Sequence, residues 1–173
     1  MGQSAPVEGS SKCDACIPGR YADSPGLAAC LACPAGRFLG FAGAVSSSQC
    51  MLCSAGTFSN TTASAECYPC ESGTYQDVAA STECQACPAA TYLPGLRSRA
   101  SSDCLKCPSG TFGAAVGAAA CQACPAGTFA SIPGSEVCTS CPAGSFAEGT
   151  GNTECMSCPM GTAWPALHLH AIN

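Results

Sequence analysis

The large apolar side chains of this chain fall at no helical spacing and alternate over no long run. They recur instead at fixed, distant positions set by cysteine. A Cys-x-x-Cys pair occurs nine times, and the first cysteines of successive pairs lie 17 or 20 residues apart. Counting from the second cysteine of a pair, an aromatic stands five residues on, at Tyr21, Phe38, Phe58, Tyr75, Tyr92, Phe112, Phe129 and Phe146. Three residues on comes glycine, from Gly19 to Gly161, with Ala90 as the exception. Ten residues on there is often a small residue, as at Gly26, Gly43, Ala63, Ala80, Gly117, Gly134 and Gly151. A fixed period of this kind marks a tandem array.

Each recurring position has a mechanical meaning. Proline directly after the second cysteine, as at Pro34, Pro88, Pro108, Pro125, Pro142 and Pro159, fixes φ and donates no hydrogen bond, which suits a turn. Glycine then takes a backbone angle that other residues resist. Thr-Phe or Thr-Tyr predicts one short extended segment, and the second small residue marks where the chain doubles back. The unit is expected to be a stubby hairpin-like loop whose aromatic covers its disulfide. Two copies, after Cys33 and Cys87, carry three extra residues, which should bulge from the returning limb at little cost.

Composition changes the picture in one respect. Eighteen cysteines in 173 residues is the range of disulfide scaffolds, and large aliphatic side chains are few. No core of ordinary size can form, so crosslinks must hold the chain. The net charge of −5 is thinly spread, and the six Lys and Arg residues never gather into a stripe, which argues against nucleic acid. Glu66, Glu83, Asp103 and Glu154 sit just before cysteine pairs and read as solvated loop ends rather than calcium ligands. No apolar run is long enough to span a membrane.

Three chemistries use Cys-x-x-Cys. In the first, the second cysteine of each pair bonds the first of the next, closing eight loops: Cys16–Cys30, Cys33–Cys50, Cys53–Cys67, Cys70–Cys84, Cys87–Cys104, Cys107–Cys121, Cys124–Cys138 and Cys141–Cys155. Cys13 and Cys158 are then left unpaired or paired outside the chain. Spacing alone does not decide this connectivity. The second is an intracellular multi-zinc module of tetrathiolate sites, which would consume two pairs per ion, and nine is odd. The third is thiol–disulfide catalysis, which needs a thiolate at a helix start, and no helical periodicity is present. His168 and His170, the only histidines, lie in a closing segment that matches nothing upstream. No catalytic set and no cofactor site is expected. Asn60-Thr61-Thr62 is the one N-glycosylation sequon, in the returning limb of a repeat.

The pattern Cys-x-x-Cys-Pro-Ala-Gly-Thr-Phe, about eight residues and another Cys-x-x-Cys, best seen from Cys121 to Cys141, resembles the ephrin-receptor-like cysteine-rich repeat. It is also similar to the first half of tumour-necrosis-factor-receptor cysteine-rich modules. The resemblance runs from Cys13 to about Thr162, with Ala90 and Ala163 departing from the pattern. It implies the sequential pairing above, an extracellular or cell-surface location, and a rod-like array that spaces, displays or adheres. The expected fold is therefore small and disulfide-rich, mostly irregular with short β-hairpins, in an elongated tandem rod. Residues 1–12 are expected to be a disordered lead-in, 13–162 about eight complete repeats plus a broken ninth, and 163–173 an unstructured stub. The lead-in holds no secretory apolar core, so the chain is read as a piece of a longer secreted protein. The expected role is a structural or adhesive spacer with protein partners or self-association into fibres. A receptor-type ligand-binding ectodomain is the alternative within binding proteins.

Overall fold

A computed structural model describes residues 2–5 and 12–162. The expectations for residues 6–11 and for the stub 163–173, His168 and His170 included, lie outside the described residues. Among those described there is no α-helix; the chain forms nine two-residue hairpins one after another. It divides into two compact units, Met1–Cys87 with Leu93–Cys104, and Pro88–Tyr92 with Leu105–Asn173.

One hairpin explains all of them. After Cys107, Thr111 donates to the Pro108 carbonyl twice, from its backbone N–H at 3.1 Å and from its hydroxyl at 2.7 Å. That double bond closes the turn, and Thr91, Thr128, Ser145 and Thr162 repeat it with their own prolines. Threonine before the aromatic is thus a turn clamp as well as a strand former. Two repeats fill this slot with arginine instead. Arg20 and Arg37 reach across the loop and donate to the carbonyls of Cys30 and Cys50 at 3.1 and 3.0 Å.

The strand that follows pairs with the two residues inside the next Cys-x-x-Cys. Thus β3 (Arg20–Tyr21) lies antiparallel to β4 (Leu31–Ala32), and the same register recurs down to Ser145–Phe146 with Met156–Ser157. Each aromatic therefore faces the first residue between the next two cysteines: Tyr21 faces Leu31, Phe38 faces Met51 and Phe58 faces Tyr68.

Part of the stretch expected to be a disordered lead-in has a place in this scheme. β1 (Gln3–Ser4) pairs with β2 (Asp14–Ala15), and the Gly2 carbonyl accepts from Cys16 N–H at 2.8 Å. Gly2 stands where later repeats have their turn glycine, or Ala90 in one of them, so residues 2–5 and 12–16 supply the closing half of a unit.

The extra residues of the two longer repeats do not bulge. They wind into single 3-10 turns, Ser47–Gln49 and Ser101–Asp103. The Gln49 side chain accepts from the N–H groups of Val45 and Ser46, and Asp103 accepts from those of Arg99 and Ala100. Both turns are stitched by a residue just before the cysteine, which satisfies backbone donors a free bulge would leave to water.

The buried residues are not the aromatics, which are half-exposed, but the second cysteine of most pairs and the residue after the aromatic. That inner slot holds Ala22, Leu39, Ser59, Gln76, Leu93, Gly113, Ala130 and Ala147. Its two leucines belong to the two 20-residue repeats, so the longer loop and the larger buried side chain occur together. Gln76 fits the same slot by folding back, donating to the Glu83 carbonyl at 2.7 Å and accepting from Val78 N–H at 3.0 Å. Around Leu39 gather Cys33, Ala44 and Cys50, with Tyr21 of the preceding repeat packed against them. That aromatic packs against the disulfide of the following repeat.

Ala90 keeps the turn that glycine makes elsewhere. Its φ is +65°, its N–H donates to the Gly113 carbonyl at 2.7 Å, and its carbonyl accepts from Cys107 at 2.9 Å. An L-residue is strained there, so Ala90→Gly is expected to stabilise the oxidised chain by up to about 1 kcal/mol in denaturant unfolding, the relief of strain exceeding the entropy glycine adds to the unfolded chain. An unchanged or lowered midpoint would show that the alanine is unstrained.

Candidate functional site: the disulfide and backbone ladder

Among the described residues no group of His, Cys, Asp and Glu side chains gathers that could hold a metal ion. The chain's recurring chemistry is the ladder that joins one repeat to the next. The structure joins Cys16–Cys30, Cys33–Cys50, Cys53–Cys67, Cys70–Cys84, Cys87–Cys104, Cys107–Cys121, Cys124–Cys138 and Cys141–Cys155. Their Cα atoms are 5.6–5.8 Å apart, within the range natural disulfides adopt. In the seven pairs from Cys30/Cys33 to Cys138/Cys141 the first cysteine bonds backwards along the chain and the second bonds forwards. A pair so divided between two crosslinks offers neither thiolates for a tetrathiolate zinc site nor a redox couple of its own. Among the described residues Cys13, exposed, and Cys158, half-buried, have no disulfide partner.

Backbone bonds run beside the sulfurs. The turn residue of one repeat donates its N–H to the carbonyl of the inner-slot residue in the next: Gly19 to Leu39, Gly36 to Ser59, Gly56 to Gln76 and, in the second unit, Gly110 to Ala130, all at 2.7–2.8 Å. The inner-slot residue then donates one repeat further, Ala22 to Ala44, Leu39 to Ser64 and Ala130 to Asn152, at 2.9–3.1 Å. A third bond returns. Gly43 donates to the Cys16 carbonyl, Ala63 to Cys33, Ala80 to Cys53 and Arg97 to Cys70. Each junction is made of main chain, so it tolerates changes in the side chains around it.

The ladder also reaches past the nearest neighbour. The carbonyl of Ala80, in the repeat two places on, lies so close to Gly36 that a Cβ there would overlap it. Gly19 meets the Ala63 carbonyl, Gly56 that of Arg97 and Gly110 that of Gly151 in the same way. At Gly19, Gly36, Gly56 and Gly110 glycine therefore answers two demands at once, a φ near +80° and a backbone seated against it. The residues whose carbonyls press in are in the left-handed region too, even where they are not glycine: Ala63, Ala80 and Arg97 have φ of 58°, 63° and 60°. The spacing rule marked the first two as small turn residues. Arg97 carries no such signal.

Asn60 is exposed on the returning limb of its repeat. Glu66, Glu83 and Glu154 are exposed as well, and Asp103, also exposed, acts as the clamp of a 3-10 turn. No described helix is long and apolar enough to cross a membrane.

No curated protein matches the chain. A family model, described as tyrosine-protein kinase ephrin type A/B receptor-like, matches it over residues 2–50, 56–104, 95–137 and 127–166. Repeats of this kind are typical of extracellular segments and carry no catalytic signature. The first match begins at Gly2, the residue that opens the first hairpin, and together the four take in nearly all of the chain. With its sequential disulfides and hairpins in register, the chain belongs to the ephrin type A/B receptor-like family of cysteine-rich repeats.

Proposed function

We propose that the chain is a structural or adhesive spacer within an extracellular or cell-surface protein, with other protein chains or copies of itself as partners. The observation that carries this reading is the ladder itself. Every loop is closed by its own disulfide, and within each unit the loops are tied together by main-chain bonds, so rigidity does not depend on which side chains face outward. The outward positions are then free for contact, and Leu31, Met51, Tyr68, Leu105 and Met156 are large, apolar and 40–50% exposed on the hairpins. Such residues on short strand edges suit lateral adhesion.

Pulling single molecules tests whether the crosslinks carry force. With disulfides intact, the residues inside each loop are withheld from extension, and reductant should release about 50 Å of contour per loop. A contour length that reductant leaves unchanged would overturn the reading, because force would then not be borne by the crosslinks.

A further inference from the structure

We propose that Asn60 carries an N-linked glycan whose first sugar lies on the aromatic groove between Phe58 and Tyr68. Among the described hairpins, that of Thr57–Phe58 and Tyr68–Pro69 alone sets two aromatics opposite each other. In the others the aromatic faces Leu31, Met51, Gln85, Leu105, Gln122, Thr139 or Met156. The two rings are 6.2 Å apart between centroids and tilted by 51°, leaving an open groove of about 430 Å³ lined by Phe58, Asn60, Thr61, Tyr68, Pro69 and Glu71. The doubled aromatic thus occurs in the repeat that holds the Asn60-Thr61-Thr62 sequon, and the asparagine itself forms part of the groove wall.

The limb is built to present that asparagine. Beneath it the Ser59 hydroxyl donates to Ser64 Oγ at 2.6 Å, and Ser64 donates on to the Thr61 carbonyl at 3.1 Å. The backbone is held from inside while Asn60 and Thr62 stay exposed. An N-acetylglucosamine presents a face of C–H bonds that matches the electron-rich face of an aromatic ring. Tyr68 and Glu71, which line the groove, bring a hydroxyl and a carboxylate to meet its polar groups. The donor is a polyprenyl-pyrophosphate oligosaccharide. Asn60 Nδ2 forms a bond to the sugar C1, the bond from C1 to the pyrophosphate oxygen breaks, the lipid pyrophosphate departs, and the amide proton passes to a base of the transferase.

The proposal rests on the extracellular reading, and the experiment separates the two. The full chain is expressed with a secretion leader in a cell that performs N-glycosylation, and its mass is taken with and without reductant. Peptide N-glycosidase in heavy-oxygen water then marks each asparagine that bore a sugar. Asn60 should be marked, and Asn60→Gln should lose the glycan mass. In proton NMR the ring and acetyl protons of the first sugar should lie upfield of their positions in Tyr68→Gln, a variant whose side chain already occurs at the equivalent Gln85 and Gln122. A secreted, oxidised chain unmarked at Asn60 overturns the glycan and leaves the spacer reading standing. A marked Asn60 with the same sugar shifts in Tyr68→Gln overturns the aromatic seat. A chain retained in the cell with free thiols sinks both.

Discussion

Reduction under otherwise native conditions is expected to unfold the chain completely and to add sixteen hydrogens to its mass, two for each of eight disulfides. The reason lies in what is buried. Among the described residues the fully buried side chains are cysteines, Leu39 and Ser59 with Ala22 and Ala44, and no cluster of large aliphatic residues accompanies them. Each disulfide closes a loop with a sequence separation of 14 or 17 residues, worth about 3 kcal/mol in the chain-entropy model. Without those constraints the two-residue hairpins are far too short to persist. Circular dichroism and protease digestion with and without reductant read the result. A reduced chain that stayed folded, and took up zinc near one ion per two cysteine pairs, would refute the disulfide account and the oxidising compartment with it.

Gly36→Ala should cost about 3 kcal/mol or more, whereas Gly144→Ala should cost about 1 kcal/mol. Both residues sit at positive φ, 79° and 83°, so an alanine is strained equally at either. They differ in what surrounds them. A Cβ at Gly36 overlaps the carbonyl carbon and oxygen of Ala80, which belong to main chain and cannot swing aside, while among the described residues nothing lies within 4 Å of the Cβ position at Gly144. The excess at Gly36 measures the reach of one repeat to the second beyond it. Equal losses at the two positions, in denaturant unfolding of oxidised protein, would mean that this contact does not exist.

Several elements could be read from residues alone, and others could not for definite reasons. The strand Thr128–Phe129 announces itself by its residue types, but its partner Thr139–Ser140 is named by nothing except its place between two cysteines. The partner in the next repeat up, Gln122–Ala123, is no better a strand former. Those segments are extended because the crosslink and the register hold them so. The aromatics looked like the covering residues on size, yet the strand turns them half outward and puts the following residue inside. The pairing of Leu39 and Leu93 with the two long repeats was there to be seen, since loop length and residue are both in the sequence. Gly2 was hidden because the half-unit it opens has no cysteine ahead of it. For the Asn60 groove, the sequon was visible, but the register that brings Tyr68 opposite Phe58 was not.

What the order of residues determined by itself was the repeat, its punctuation and its dependence on sulfur, because a cysteine pair every 17 or 20 residues and a shortage of large apolar side chains leave few other ways to hold a chain together. Only the tertiary structure decided how repeats meet. Main-chain donors and acceptors carry no residue-specific mark, so neither the bonds from each turn to the next inner slot nor the seating of Gly36 under Ala80 could be foreseen until the backbones lay side by side.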